Sequence, residues 1–201
     1  MRSGPSWTWG YRHVDTTEFY DNERGVGAAL ADADVDREEV FLTTKVWRTN
    51  LHRGDVRPAV EGSLDRLGVD YVDLLPAHWP HPRVPAAETL DAMTGLRREG
   101  LVRHVGVSNF TRSQLAEALS VAGVPIVTNH VLYNPFVDRS DLRAYCAAND
   151  VALTAYSPLA TGEVVENAVL QRIGRRHGKT AAQVASGGWS SRRASWPSRA
   201  R

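Results

Sequence analysis

Six short apolar runs alternate with six amphipathic stretches along this chain, and no other feature constrains the fold as tightly. The strand-like runs cover residues 11–16, 40–46, 72–79, 102–108, 126–131 and 152–157. Helical patterns cover residues 22–31, 55–67, 87–99, 113–121, 139–148 and 163–177. Strands separated in this way by helical crossovers become parallel neighbours in one sheet. VDLL and GVPIV are near-continuous apolar runs, as strands buried on both faces are. Ser113 and Ser140 read as helix caps, while Gly68 and Gly100 read as helix stops. The expected fold class is α/β with a parallel sheet, in a single domain.

Composition narrows the function. With 201 residues the chain can bury a sizeable core. Lys and Arg total 24 against 23 Asp and Glu, a balance that argues against a nucleic-acid or anionic-membrane partner. The single cysteine, Cys146, excludes an intrachain disulfide and suits a reducing compartment. No apolar run is long enough to span a membrane, and the start has no secretory pattern, so the expected location is cytoplasmic.

Chemistry-bearing residues recur near the ends of the strand-like runs. GYRHVDTTEFYDNE holds Asp15 and, five residues later, Tyr20. FLTTKVW holds Lys45, DLLPAHWP holds His78 and Trp79, and VGVSNF holds Ser108 and Asn109. His130 follows in TNHVLYNP, then Tyr156, Ser157 and Leu159 in AYSPLATG. Each alone has an ordinary reading. Asp15 could cap a helix, Tyr20 could pack, and His78 could be a hydrogen-bonded core histidine. Lys45 is harder to explain away, because an ammonium on an apolar strand is costly unless paired. His13, His78 and His81 could instead suggest a metal-dependent hydrolase.

Taken in order, these motifs resemble the aldo-keto reductases, from about Gly10 to about Ala185. The resemblance implies a (β/α)8 TIM barrel, of which about six of eight strand–helix units are expected here, and no metal. It implies an oxidoreductase that reduces aldehyde or ketone carbonyls with NADPH, NADH not excluded, acting as a monomer if complete. Tyr20 would be the general acid, tuned by Lys45 and Asp15, with His78 orienting or polarising the carbonyl and Trp79 lining the substrate pocket. Ser108, Asn109 and His130 would hold the nicotinamide carboxamide. Tyr156 would stack on its ring, with Ser157 and Leu159 beside the pyrophosphate. The motifs are closest to bacterial reductases of small aldehydes and diketo sugar acids.

Four departures stand out. His130 replaces the family's usual glutamine, and Pro76, a residue that sheets confine to edges or bulges, is expected to distort the strand that carries His78. Residues 1–9 and 186–201 follow neither the family nor any period. Read one nucleotide out of frame with GC-rich codons, the C-terminal stretch yields a strand-like VVAI followed by Pro-Arg-Thr, as the family shows. Frame-altered ends are therefore expected, a point that resequencing the gene decides. The alternative is a non-catalytic remnant that binds nucleotide at most.

Overall fold

The computed structural model describes residues 10–190. The irregular ends expected at residues 1–9 and 191–201 lie outside the described residues, while residues 186–190 belong to the last helix. One compact unit ends at Val127 and a second begins at Thr128.

The first unit contains β1 (His13–Asp15), α1 (Glu23–Ala31), β2 (Phe41–Thr43), α2 (Arg53–Leu67), β3 (Val72–Ala77), α3 (Ala86–Arg98), β4 (Val102–Ser108) and α4 (Arg112–Val121). Its strands pair in chain order and all are parallel: His13 opposite Phe41, Thr43 opposite Leu74, and Val72 opposite Val102. All six residues of β3 are buried, as a strand apolar but for Asp73 allows once that carboxylate is paired. Val56, Val60, Leu64 and Leu67 form the buried stripe of α2, recurring at helical spacing. Leu42, Leu74, Leu75, Leu90, Met93 and Leu115 are almost fully buried, each contributing about 1.5–3 kcal/mol.

At the start of β3, buried Asp73 accepts hydrogen bonds from Arg37, Arg103 and the Leu42 amide, each at 2.9 Å. The two guanidinium groups also lie 4.2 and 4.0 Å from the Tyr71 ring. This end of the strand is a structural anchor; the site residues gather at the other.

β5 (Ile126–Leu132) begins at the end of the first unit, and in the second it pairs in parallel with β6 (Ala152–Tyr156), from Thr128 opposite Ala152 to Leu132 opposite Tyr156. The helices are α5 (Ser140–Ala148), α6 (Glu163–Glu166), α7 (Ala168–Arg176) and α8 (Ala181–Ser190). Val164, Ala181 and Ala185 form a small core, against which Leu159, Ala160 and Leu170 pack.

Several boundaries differ from expectation for local reasons. The helix expected over residues 163–177 is two, because the Asn167 side chain caps the second by accepting from Val169 and Leu170 amides. Thr111, not Ser113, caps α4: Thr111 and Gln114 bond reciprocally side chain to backbone, which requires that three-residue spacing. Ser140 is the first residue of α5, its amide donating to Asp138 at 2.8 Å. Gly68 stops α2 as expected, at φ 65°.

Pro76 was expected at an edge or bulge, yet it sits inside β3, between β2 and β4. Thr44 donates to the Leu74 carbonyl and Val46 to the Pro76 carbonyl, so the rung facing Thr44 is the one proline cannot supply. The regular β2 accordingly stops at Thr43, and Val46 rejoins as an isolated bridge to Ala77. The strand is not displaced: the His78 amide still donates to the Val46 carbonyl at 2.9 Å.

Gly27 marks the close approach of α1 to the end of α2. A Cβ there would clash with the Leu67 carbonyl, whereas one at Gly25, two residues earlier, would meet nothing within 4 Å. Gly27→Ala is expected to destabilise the fold by about 1–3 kcal/mol. Gly25→Ala is expected to be neutral or to stabilise by up to about 1 kcal/mol. Urea titration of both variants checks this; equal effects would place the contact elsewhere.

Candidate active site

Lys45 lies just beyond β2, 5% exposed. Its ammonium pairs with the Asp15 carboxylate at the end of β1 and donates to the Thr16 carbonyl at 3.1 Å. Asp15 is 38% exposed, so one member of the pair keeps contact with water. The acid and ammonium expected to meet therefore do so, because β1 and β2 pair in parallel register with their C-terminal ends together.

His78 follows β3. Its backbone is clamped by the Val46 carbonyl and by the Asn109 amide, which donates to the His78 carbonyl at 3.1 Å. Its ring stands edge-on to Trp47, centroids 5.0 Å apart, and Nδ1 lies 3.1 Å from the Thr17 hydroxyl. Burial, and secondly the Lys45 charge, push the His78 pKa down to about 4. The imidazole is thus neutral near pH 7.

Tyr20 is placed differently. It ends a 3-10 turn, Glu18–Tyr20, is 56% exposed, and its hydroxyl makes no hydrogen bond among the described residues. The expected link to Lys45 is therefore not a hydrogen bond in this structure. The turn itself is firmly held. The Glu18 carboxylate accepts from the Trp47 amide and from Asn50, and Phe19 stacks on Trp47 at 4.1 Å. Trp79 is 41% exposed beside His78 in the chain.

Ser108 closes β4 and is buried, while Asn109 adopts φ 63° and donates to both the His78 carbonyl and the Ser108 hydroxyl. In the second unit His130 is buried in β5, opposite Thr154 of β6. Tyr156 ends β6 partly exposed. The chain then turns through left-handed backbone at Ser157, Ala160, Thr161 and Gly162. Within this turn the Ala160 and Gly162 amides donate to the Ser157 and Leu159 carbonyls, each at 3.0 Å. Leu159 packs inward on the small core instead of standing free.

Thr17, Glu18, Phe19 and Trp47 escaped the sequence reading. The first three lie between Asp15 and Tyr20, and Trp47 lies two residues past Lys45, but nothing in their types marks them as neighbours of His78. The three histidines that might have suggested a metal have separate partners: His13 meets Thr43, His78 meets Thr17, and His81 accepts from the Arg83 and Val84 amides. Among the described residues no cluster of His, Cys, Asp or Glu is placed to hold a metal ion. Cys146 is buried, with its pKa pushed up to about 11 by burial, which makes it a poor nucleophile. A cavity of about 310 Å³ lies under the loop of Pro80, Pro82 and Pro85, lined also by Leu51, Leu90 and Phe110; none of the predicted site residues lines it. None of the described helices is long and apolar enough to cross a membrane.

This chain belongs to the aldo/keto reductase family, whose model matches residues 7–188. Its six strand–helix units are those of that family's (β/α)8 barrel. It is 38% identical over 178 residues to the methylglyoxal reductase DkgB of Escherichia coli O157:H7, covering 87% of this chain and 67% of that protein. It is 39% identical over 175 residues to the glyoxal reductase of Bacillus subtilis strain 168, covering 87% and 63%. The structure of the silkworm (Bombyx mori) aldo-keto reductase AKR2E5 complexed with NADPH superposes with a TM-score of 0.86 at 33% identity, covering 92% of this chain and 63% of that one. The chain thus spans about two thirds of the length of these relatives.

The lowered His78 pKa has a consequence for folding. An unfolded histidine gains its proton near pH 6.5, but the folded one near 4, so the unfolded state binds more protons between those values. Stability is therefore expected to fall as pH drops from 6.5 toward 4. His78→Gln should flatten that limb in urea titrations taken at several pH values; an unchanged slope would assign the loss to other groups.

Proposed function

We propose that this protein reduces small aldehydes to alcohols with NADPH as the hydride source. The observation that carries the reading is the buried Lys45 ammonium, paired with the solvent-touching Asp15 carboxylate at the strand ends beside a neutral His78. An ammonium so enclosed is costly unless its charge is used or compensated. The names of the relatives, methylglyoxal and glyoxal reductases, support a small, highly electrophilic aldehyde as substrate.

In the first unit, Ser108 and Asn109 suit the nicotinamide carboxamide, since a hydroxyl and a side-chain amide are anchored there by mutual hydrogen bonding. In the second, Tyr156 presents an exposed ring to stack on the nicotinamide, ahead of the left-handed turn that is assigned to the pyrophosphate. Ser157 and Leu159 belong to that turn, and His130 is assigned to the carboxamide in place of glutamine. Bound NADPH supplies the hydride. Tyr20, exposed and on a clamped turn, donates its phenolic proton to the carbonyl oxygen, giving the alcohol. Lys45, held by Asp15, stabilises the phenolate left behind. His78 and Trp79 orient the carbonyl. The reading includes a cytoplasmic location, in keeping with a single buried thiol, and action as a monomer.

Tyr20→Phe is expected to lower NADPH oxidation with methylglyoxal by about 10²–10⁴-fold, the usual worth of a general acid, while NADPH binding measured by fluorescence persists. Undiminished turnover would exclude Tyr20 as the acid. A folded parent chain that binds NADPH without oxidising it would favour the non-catalytic reading instead.

His130→Gln is expected to tighten NADPH binding several-fold, because glutamine offers both a donor and an acceptor whatever the pH, while imidazole in its neutral form offers one of each in fixed directions. Weaker binding in the same fluorescence titration would show that the imidazole serves better.

A further inference from the structure

We propose that Thr17 is a positioning residue that holds neutral His78 with its proton on Nδ1, leaving Nε2 as a hydrogen-bond acceptor. The hydroxyl of Thr17 is fully buried and has three polar neighbours. The Phe19 amide lies 3.3 Å away and can only donate. The Lys45 carbonyl lies 3.3 Å away and can only accept. Nδ1 of His78, at 3.1 Å, can do either, depending on the tautomer.

A hydroxyl has one proton to give. If it goes to the Lys45 carbonyl, Nδ1–H and the Phe19 amide fill the two lone pairs of Oγ1, and every group is satisfied. If it goes to Nδ1, the Lys45 carbonyl, on a buried residue, loses its only donor among the described residues. Buried carbonyls left without a donor are costly, so the first arrangement wins. With the imidazole neutral near pH 7, the proton on Nδ1 is the only one, and Nε2 is bare. Nε2 has no partner among the described residues that would reverse the choice.

This rests on the reading of His78 as a substrate-facing residue only for its consequence. If Nε2 accepts, His78 orients the carbonyl by packing and not by donating to its oxygen, and Tyr20 is left as the donor.

The tautomer is read from long-range ¹⁵N–¹H correlation spectra of the full ¹⁵N-labelled chain near pH 7, with His78 assigned through His78→Gln. A pyrrole-like Nδ1 and a pyridine-like Nε2 are expected in the parent and in Thr17→Ser. Thr17→Val, similar in volume but lacking the hydroxyl, is expected to move His78 toward the Nε2–H form. A pyridine-like Nδ1 in the parent chain would overturn the proposal, as would a folded Thr17→Val protein with an unchanged tautomer. Should the valine variant not fold, the parent and serine spectra still decide. No turnover is needed, so an inactive chain would count against the reductase reading without touching this one.

Discussion

The ammonium of Lys45 is the charge around which the first unit is arranged. It sits on a residue 5% exposed, where an unpaired cation would not be tolerated. Two groups meet it, the Asp15 carboxylate and the Thr16 carbonyl, and both come from the end of β1. That requirement ties the C-terminal end of β1 to that of β2 more tightly than three residues of ladder could. It also delivers Thr17 to His78 and starts the turn that carries Tyr20. Because Asp15 keeps contact with solvent, the pair escapes part of the desolvation cost that full burial would impose.

The two ends of β3 divide the work between stability and chemistry. At its start, Asp73 gathers two guanidinium groups and a backbone amide into one network. Beyond its far end, His78 is held by its own backbone, by Asn109 and by Thr17, with its ring partly free. Parallel α/β barrels place their chemistry at the C-terminal ends of strands for a related reason: loops there can vary while the opposite face secures the sheet. Pro76 shows how much local irregularity such an end accepts. Its missing amide costs one rung and shortens β2, yet the ladder closes again two residues later at His78.

The turn bearing Tyr20 combines exposure with restraint. The phenol reaches solvent, while Glu18 is fastened to the Trp47 amide and to Asn50, and Phe19 lies flat on Trp47. In the proposed reduction, where Tyr20 gives the proton, such a turn lets the donor meet substrate from a fixed approach. The residues that supply this restraint are apolar or acidic neighbours with no chemistry of their own.

Much of this protein was legible from its sequence because the determining signals are local. Apolar period and turn residues located six strands and the helices between them, with 102–108 matching β4 residue for residue, and Gly68 ending α2 where expected. The order of Asp15, Tyr20, Lys45, His78 and Asn109 at strand ends was readable because parallel connectivity returns every C-terminal end to one side. Capping was read less well, since a three-residue reciprocal bond at Thr111 and Gln114 competes with simpler hydroxyl signals nearby. What only the tertiary structure decided are contacts across long sequence separations. They include the Thr17 hydroxyl on His78, the Glu18 clamp on the turn after Trp47, and the place of Pro76 inside a sheet whose lost rung is absorbed by a shortened neighbour. Each depends on which side chains a fold brings within about 3 Å of one another, and period, propensity and motif order carry no information about that distance.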